Sequence, residues 1–341
     1  MAIVVNLEDG RGKPRKPSLN ALSALVGDDL EAVNSRILQH MHSPVALIPQ
    51  LAGHIIAAGG KRLRPMLTLA AARLCGYRGD RHVSLAACVE FIHTATLLHD
   101  DVLDEAAIRR GHDTARLLWG NKASILVGDY LYTRAIDQVI QLGNREIETT
   151  LAAVCQKMIE GEMLQFSLHH NVNITENDCL TIIDNKTASL IATACTLGAI
   201  LHDAPASQKT ALGRFGRYLG LAFQLSDDAL DYAAHPDKLG KTIGKDLYEG
   251  KITFPLLHLL SACQPDERIV VERIIGHGGE APPQDSGAII RLMEQYGSVS
   301  YALDRARRYA ALAIEELTLF PPSSHRSALE IVADYVVSRD H

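Results

Sequence analysis

Residues 97–111 read LLHDDVLDEAAIRRG: an apolar helical stretch ends in aspartates at 100, 101 and 104, and arginines follow at 109 and 110. On an α-helix, positions four apart share a face, about 5.4 Å apart along the axis. Asp100 and Asp104 therefore point the same way, Leu97 and His93 extend that face backwards, and Asp101 lies beside it. Burying an unpaired carboxylate costs several kcal/mol, so such a cluster calls for positive partners. The segment FQLSDDALDY at 223–232 repeats the arrangement with Asp227, Asp228 and Asp231, again closing an apolar helix. Carboxylate oxygens displayed from one helix face are hard ligands of the kind Mg²⁺ takes, and Mg²⁺ completes its shell with water and substrate phosphates. Two facing clusters of this type suit a diphosphate clamped through metal ions.

A diphosphate also calls for cations. GGKRLRP at 59–65 supplies Lys61, Arg62 and Arg64 at a glycine-rich helix start, where backbone N–H groups and the helix dipole favour anions. Arg109 and Arg110 follow the first aspartates, Lys186 and Thr187 interrupt an apolar helix, and Lys241, Lys245 and Lys251 follow the second cluster. Each of these cations alone reads more readily as a solvated surface charge, less so for Lys186 with its apolar neighbours and for Lys61 and Arg64 beside Gly-Gly, and His93 reads equally as a satisfied core histidine. The concentration around two aspartate motifs favours a site.

Helical periodicity dominates from about residue 19 to 338 and must position these groups. The pattern predicts helices near 19–41 with Ser18 as N-cap, 44–57, 64–75, 82–105, 122–143, 145–169, 175–201, 207–234, 253–263, 267–276, 286–295, 298–319 and 323–338. Strand signals are almost absent, with aromatics at 5% of residues. Length alone suggests about two domains. No compositional linker divides the chain, however, so it reads as a basic, flexible arm over 1–18 and one all-α domain over 19–341. The net charge of −6 argues against a general nucleic-acid footprint. The six cysteines are scattered without a CxxC pair, which argues for a reducing compartment and against a zinc site. No apolar run reaches the ~18 residues of a spanning helix, and the start lacks a signal-peptide pattern. A cytoplasmic protein is expected, and peripheral membrane association remains compatible with the composition. Asp129, Glu160, Glu162, the His169–His170 pair and the RARR run at 305–308 are given no chemical role.

With both DDxxD stretches, GGKRLRP, the KT pair and GKTIGKDLYEGK in this order, the chain from about 30 to 338 resembles the trans-type polyprenyl diphosphate synthases. The resemblance implies an antiparallel helix bundle around a deep apolar cavity, usually a homodimer. It implies head-to-tail elongation of an allylic diphosphate (farnesyl or geranylgeranyl diphosphate) by isopentenyl diphosphate, with two or three Mg²⁺ ions. Carried over residue by residue, Asp100, Asp104 and Asp227 hold the metal and Asp101, Asp228 and Asp231 support that shell. Arg109, Lys186, Lys241 and Lys251 contact the allylic diphosphate. Lys61, Arg64, His93 and Arg110 bind isopentenyl diphosphate, and Thr187 and Gln224 line the reacting centre. Short-chain members often carry an aromatic just before the first motif. Here the positions are Ala95 and Thr96, with Phe91 a turn further down, which resembles the octaprenyl to decaprenyl type and suggests a quinone side-chain role. Two alternatives are a class I terpene cyclase and a non-catalytic subunit of a heteromeric synthase. The second full aspartate motif argues against the first, and the intact aspartates and basic residues argue against the second.

Overall fold

The computed structural model describes residues 17–57, 60–233, 247, 250–277 and 283–339. The described chain is all-α apart from one two-stranded ribbon. Its helices are α1 (Asn20–Leu25), α2 (Gly27–His40), α3 (Leu47–Ala57), α4 (Leu63–Leu74), α5 (Arg81–Leu103), α6 (Ala115–Leu142), α7 (Arg145–Ser167), α8 (Glu176–Ile183), α9 (Ser189–Leu201), α10 (Ala206–Ala233), α11 (Phe254–Ala262), α12 (Pro265–His277), α13 (Pro283–Gln295), α14 (Ser298–Glu316) and α15 (Ser324–Ser338). α5 packs along α6 and α4, while α10 packs along α9 and α14. Between them lies a continuous apolar core that includes Leu67, Leu85, Phe91, Leu131, Leu197, Phe215 and Leu329.

Local chemistry explains several boundaries. The α6–α7 corner places Gly143 at φ 61°, where glycine has no Cβ penalty, and Asn144 then caps α7 by accepting from the N–H groups of Glu146 and Ile147. Thr175 and Asp178 form a reciprocal capping box at α8.

The structure departs from the periodicity at four places. The predicted helix over 19–41 breaks at Val26, and Leu19 rather than Ser18 occupies the first N-cap, without a side-chain cap bond. α6 begins at Ala115, earlier than the expected 122, because the Thr114 hydroxyl caps it by accepting from Leu117 N; Gly120, at φ 83° and ψ 164°, then interrupts it. The stretch 175–201 is not one regular helix, since a π-turn over Asp184–Ala188 joins α8 to α9. Finally, Ile108–Arg109 (β1) pairs antiparallel with His112–Asp113 (β2), two residues a side and too short to show as alternation.

Candidate active site

α5 ends at the first aspartate cluster. Asp104 is its C-cap, with its N–H on the Asp100 carbonyl. Burial, together with the neighbouring Glu162 and Asp104 carboxylates, pushes the Asp100 carboxyl up to about 6, against the pull of Lys186 and Arg109. Asp101 is buried and accepts from Arg109 Nε at 2.6 Å. The β1–β2 ribbon therefore serves the site by folding Arg109 back over α5. Asp104 accepts from Lys251 Nζ at 2.8 Å across 147 residues of sequence.

Lys186 and Thr187 sit on the π-turn, a helix distortion often found at functional sites. Lys186 Nζ donates to Gln165 Oε1 at 2.9 Å and pairs with Glu162 at 2.5 Å, both on α7. Thr187 donates to Gln224 Oε1 at 3.0 Å, and Gln224 Nε2 donates to Asp228 at 2.8 Å, one turn further along α10. Lys186, Thr187, Gln224, Asp228 and Lys251 thus line one cavity of about 140 Å³, with Ile174, Ile182, Ile183 and Ile252 as apolar wall. Asp228 is buried, Asp231 is half-buried, and Asp227 is exposed and paired with Arg339 at 2.9 Å.

A second cavity of about 60 Å³ is lined by Arg62, Arg109, Arg110, His93, Glu90 and Asp101 among others. Arg62 adopts φ 49° before α4 and forms an ion pair with Glu90. Arg64 is half-buried, and burial lowers its guanidinium to about 10, with Arg110 adding to the fall and Glu90 opposing it. Its Nη1 lies 3.1 Å from His93 Nε2. Burial first, then the surrounding arginines, hold His93 well below its ordinary value, so the imidazole is neutral and accepts this bond. Arg110 is packed against Gly60, where any Cβ would stand 2.5 Å from its Nη1. Lys61 instead donates to Tyr335 of α15 at 2.7 Å.

The end of α5 therefore stands between two cation-lined cavities, since Asp101 lines the second and Asp104 bonds to Lys251 in the first. Lys241 and Lys245 lie outside the described residues. The proposed chain-length positions line neither cavity: Phe91 and Ala95 are buried in the main core, and Thr96 donates to the His93 carbonyl at 2.8 Å. Glu90, Gln165 and Arg339 meet site residues without having been singled out in the sequence, and Glu162 does so after being given no chemical role. Glu162 alone had drawn notice, and the i,i+3 spacing of Glu162 and Gln165 was the available signal that α7 faces Lys186.

The donor set fits a hard divalent cation. Its groups are carboxylate oxygens, and the raised Asp100 carboxyl marks a place where added positive charge is favoured. Among the described residues no three His, Cys, Asp or Glu side chains converge as a ready-made cage.

The all-α scaffold is that of the isoprenoid synthase fold, and similarity to known proteins makes the chain a prenyltransferase. Residues 45–293 match the polyprenyl synthetase family, and the chain belongs to it. It is 41% identical to the octaprenyl diphosphate synthase of Escherichia coli (strain K12), over 95% of this chain and 99% of that one. It superposes at TM-score 0.91 on a polyprenyl synthase from Caulobacter crescentus CB15 complexed with calcium and isoprenyl diphosphate, with 44% identity covering 96% and 99% of the two chains. A decaprenyl diphosphate synthase from Rhodobacter capsulatus also superposes at 0.91, with 42% identity over 95% and 100%.

Proposed function

We propose that this enzyme elongates an allylic diphosphate, farnesyl or geranylgeranyl, with successive isopentenyl diphosphate units to a long all-trans polyprenyl diphosphate. We further propose that residues 19–341 form its single catalytic domain. One observation carries the reading: the first aspartate cluster stands between two separate cation-lined cavities, which suits two diphosphates held side by side. Asp100, Asp104 and Asp227 would hold Mg²⁺, which when bound neutralises charge on the leaving diphosphate. Arg109, Lys186, Lys251 and, outside the described residues, Lys241 meet the allylic diphosphate. They stabilise the charge that develops as its C–O bond breaks. Thr187 and Asp228 together fix the Gln224 amide, whose carbonyl oxygen accepts from the Thr187 hydroxyl while its NH₂ donates to Asp228. Arg64, Arg110, His93 and Lys61 receive isopentenyl diphosphate, whose alkene attacks the allylic cation. The departing diphosphate takes the proton released at the new double bond. The apolar wall of the first cavity keeps water from quenching the cation.

Small Ala95 and Thr96 before the first motif, and relatives named octaprenyl and decaprenyl diphosphate synthases, support an octaprenyl to decaprenyl product for a quinone side chain. The exposed apolar residues Leu118, Ile125, Leu126, Ile136 and Ile140 of α6 support a homodimer through that face. Among the described residues no helix is long and apolar enough to cross a membrane. With six free cysteines this fits a cytoplasmic enzyme that touches the membrane only to release product.

The deciding experiment incubates the protein with Mg²⁺, farnesyl diphosphate and labelled isopentenyl diphosphate and resolves the dephosphorylated products by length. A ladder ending in one long polyprenol is expected, EDTA abolishes it, and Ala95→Phe shortens it. No elongation from any allylic primer would overturn the reading and favour a partner subunit.

A further inference from the structure

The π-turn carrying Lys186 and Thr187 is held from both sides by groups that face neither cavity. Asp184, its first residue, is mostly buried and accepts from Lys157 Nζ of α7 at 2.8 Å and from Arg217 Nε of α10 at 2.7 Å. Burial opposes the charge, yet these two bonds win and keep the carboxyl below its ordinary value. One turn beyond each cation, the same helix presents a glycine against the turn. A Cβ at Gly161 would lie 2.6 Å from Asn185 Cβ and 2.9 Å from Lys186 N, and one at Gly220 would lie 2.7 Å from Ala188 Cβ. α7 and α10 thus each contribute a cation and a contact with no spare room. The same two helices supply the partners of the functional pair, Glu162 and Gln165 for Lys186 and Gln224 for Thr187.

The turn's own bonding is matched to this seat. Ser189 N–H reaches five residues back to the Asp184 carbonyl, and the Ser189 hydroxyl takes the Asn185 carbonyl at 2.6 Å, which a regular helix would have given to that N–H. Reverting to α geometry would absorb one residue and rotate its neighbours by about 100°. Lys186 would swing away from α7 and Thr187 from Gln224.

We infer that Asp184, with Lys157 and Arg217, is a positioning residue for the reaction, setting the rotation of the π-turn so that Lys186 and Thr187 meet the allylic substrate and not isopentenyl diphosphate. The inference rests on the proposed role of Lys186. Asp184 touches no substrate, and its effect is transmitted through the turn.

The test measures kcat, KM for farnesyl diphosphate, KM for isopentenyl diphosphate and melting temperature for Asp184→Asn, Arg217→Gln, Arg217→Lys, Lys186→Ala and the Asp184→Asn/Lys186→Ala double variant. Asp184→Asn is expected to raise the farnesyl diphosphate KM and lower kcat by about tenfold each, with the isopentenyl diphosphate KM within about twofold. Arg217→Gln shifts the same constants in the same direction, and Arg217→Lys restores most of the loss. Because the Arg217 side chain is 54% exposed, that pair keeps the test alive if Asp184→Asn does not fold. A merely structural role would reduce the active fraction, lowering kcat with the melting temperature while leaving both KM values in place. In the Lys186→Ala background, Asp184→Asn adds little if it acts through that lysine. An equal cost in both backgrounds, or an equal shift of both KM values, overturns the positioning role alone. Wild-type kinetics in Lys186→Ala overturn the underlying site reading and the inference with it.

Discussion

The two aspartate clusters share a sequence pattern and differ in setting. In each the second aspartate, Asp101 or Asp228, is buried with its carboxylate hydrogen-bonded. Asp101 is met by a guanidinium from a ribbon beyond the helix end, Asp228 by the neutral Gln224 amide of its own helix. The first aspartates diverge further, for Asp100 is half-buried among other carboxylates while Asp227 is exposed and held by Arg339, which also stacks 4.1 Å over Phe223. The first cluster is thus led by a sheltered carboxylate and the second by an open one, reached by a cation at the C-cap of α15. In the first, stability is given up for affinity toward cations; in the second, little is.

The sharpest way to break this comparison is to remove the leading aspartates. Asp100→Ala and Asp227→Ala are each expected to cut turnover by about a thousandfold with helix content unchanged, as circular dichroism and steady-state assays would show. Near wild-type turnover in either would remove that cluster from the clamp.

Smaller effects separate the clusters by their surroundings. Arg109→Ala is expected to cost about 2 kcal/mol in denaturant unfolding, because it strips a charged bond from the buried Asp101. The Arg339–Asp227 pair itself should be worth under about 1 kcal/mol in a double-mutant cycle, because Asp227 is 55% exposed. Equal values would mean that the two clusters are sheltered alike.

The smallest effect has the opposite sign. A carboxyl raised to about 6 binds its proton more tightly folded than unfolded, so its ionisation destabilises the fold as pH rises through that range. Metal-free Asp100→Asn should therefore melt above wild type at pH 8, with the gap closing as pH falls from about 6 towards 4. A wild type more stable than Asp100→Asn at pH 8 would contradict the burial argument.

Much of the site was legible because it rests on helical spacing. The i,i+4 pairs and the apolar faces behind them follow from a 3.6-residue period, whereas the company of Thr187 and Gln224 comes from the family resemblance, and the structure joins the two directly. The π-turn was not legible, since the apolar pattern runs through 175–201 and one inserted residue leaves no mark in composition. Glu90 and Glu162 escaped because a carboxylate's importance depends on which cation faces it across the fold, and that is a tertiary fact. The short ribbon escaped because two residues a side carry no periodicity. The expected Ser18 cap failed because the chain turns helical one residue later than its hydroxyl needed.

The bond between Asp104 and Lys251 spans 147 residues, and so fixes an order of events during synthesis. At about 5–20 residues per second, the ribosome presents the first aspartates on the order of ten seconds before the lysine that answers them. The nascent chain can assemble α5 and its apolar neighbours early, but it cannot complete the first cavity until α10 and the segment beyond it have emerged. The aspartates that begin the site are made early, and the cavity they border waits for a lysine made more than halfway through the rest of the chain.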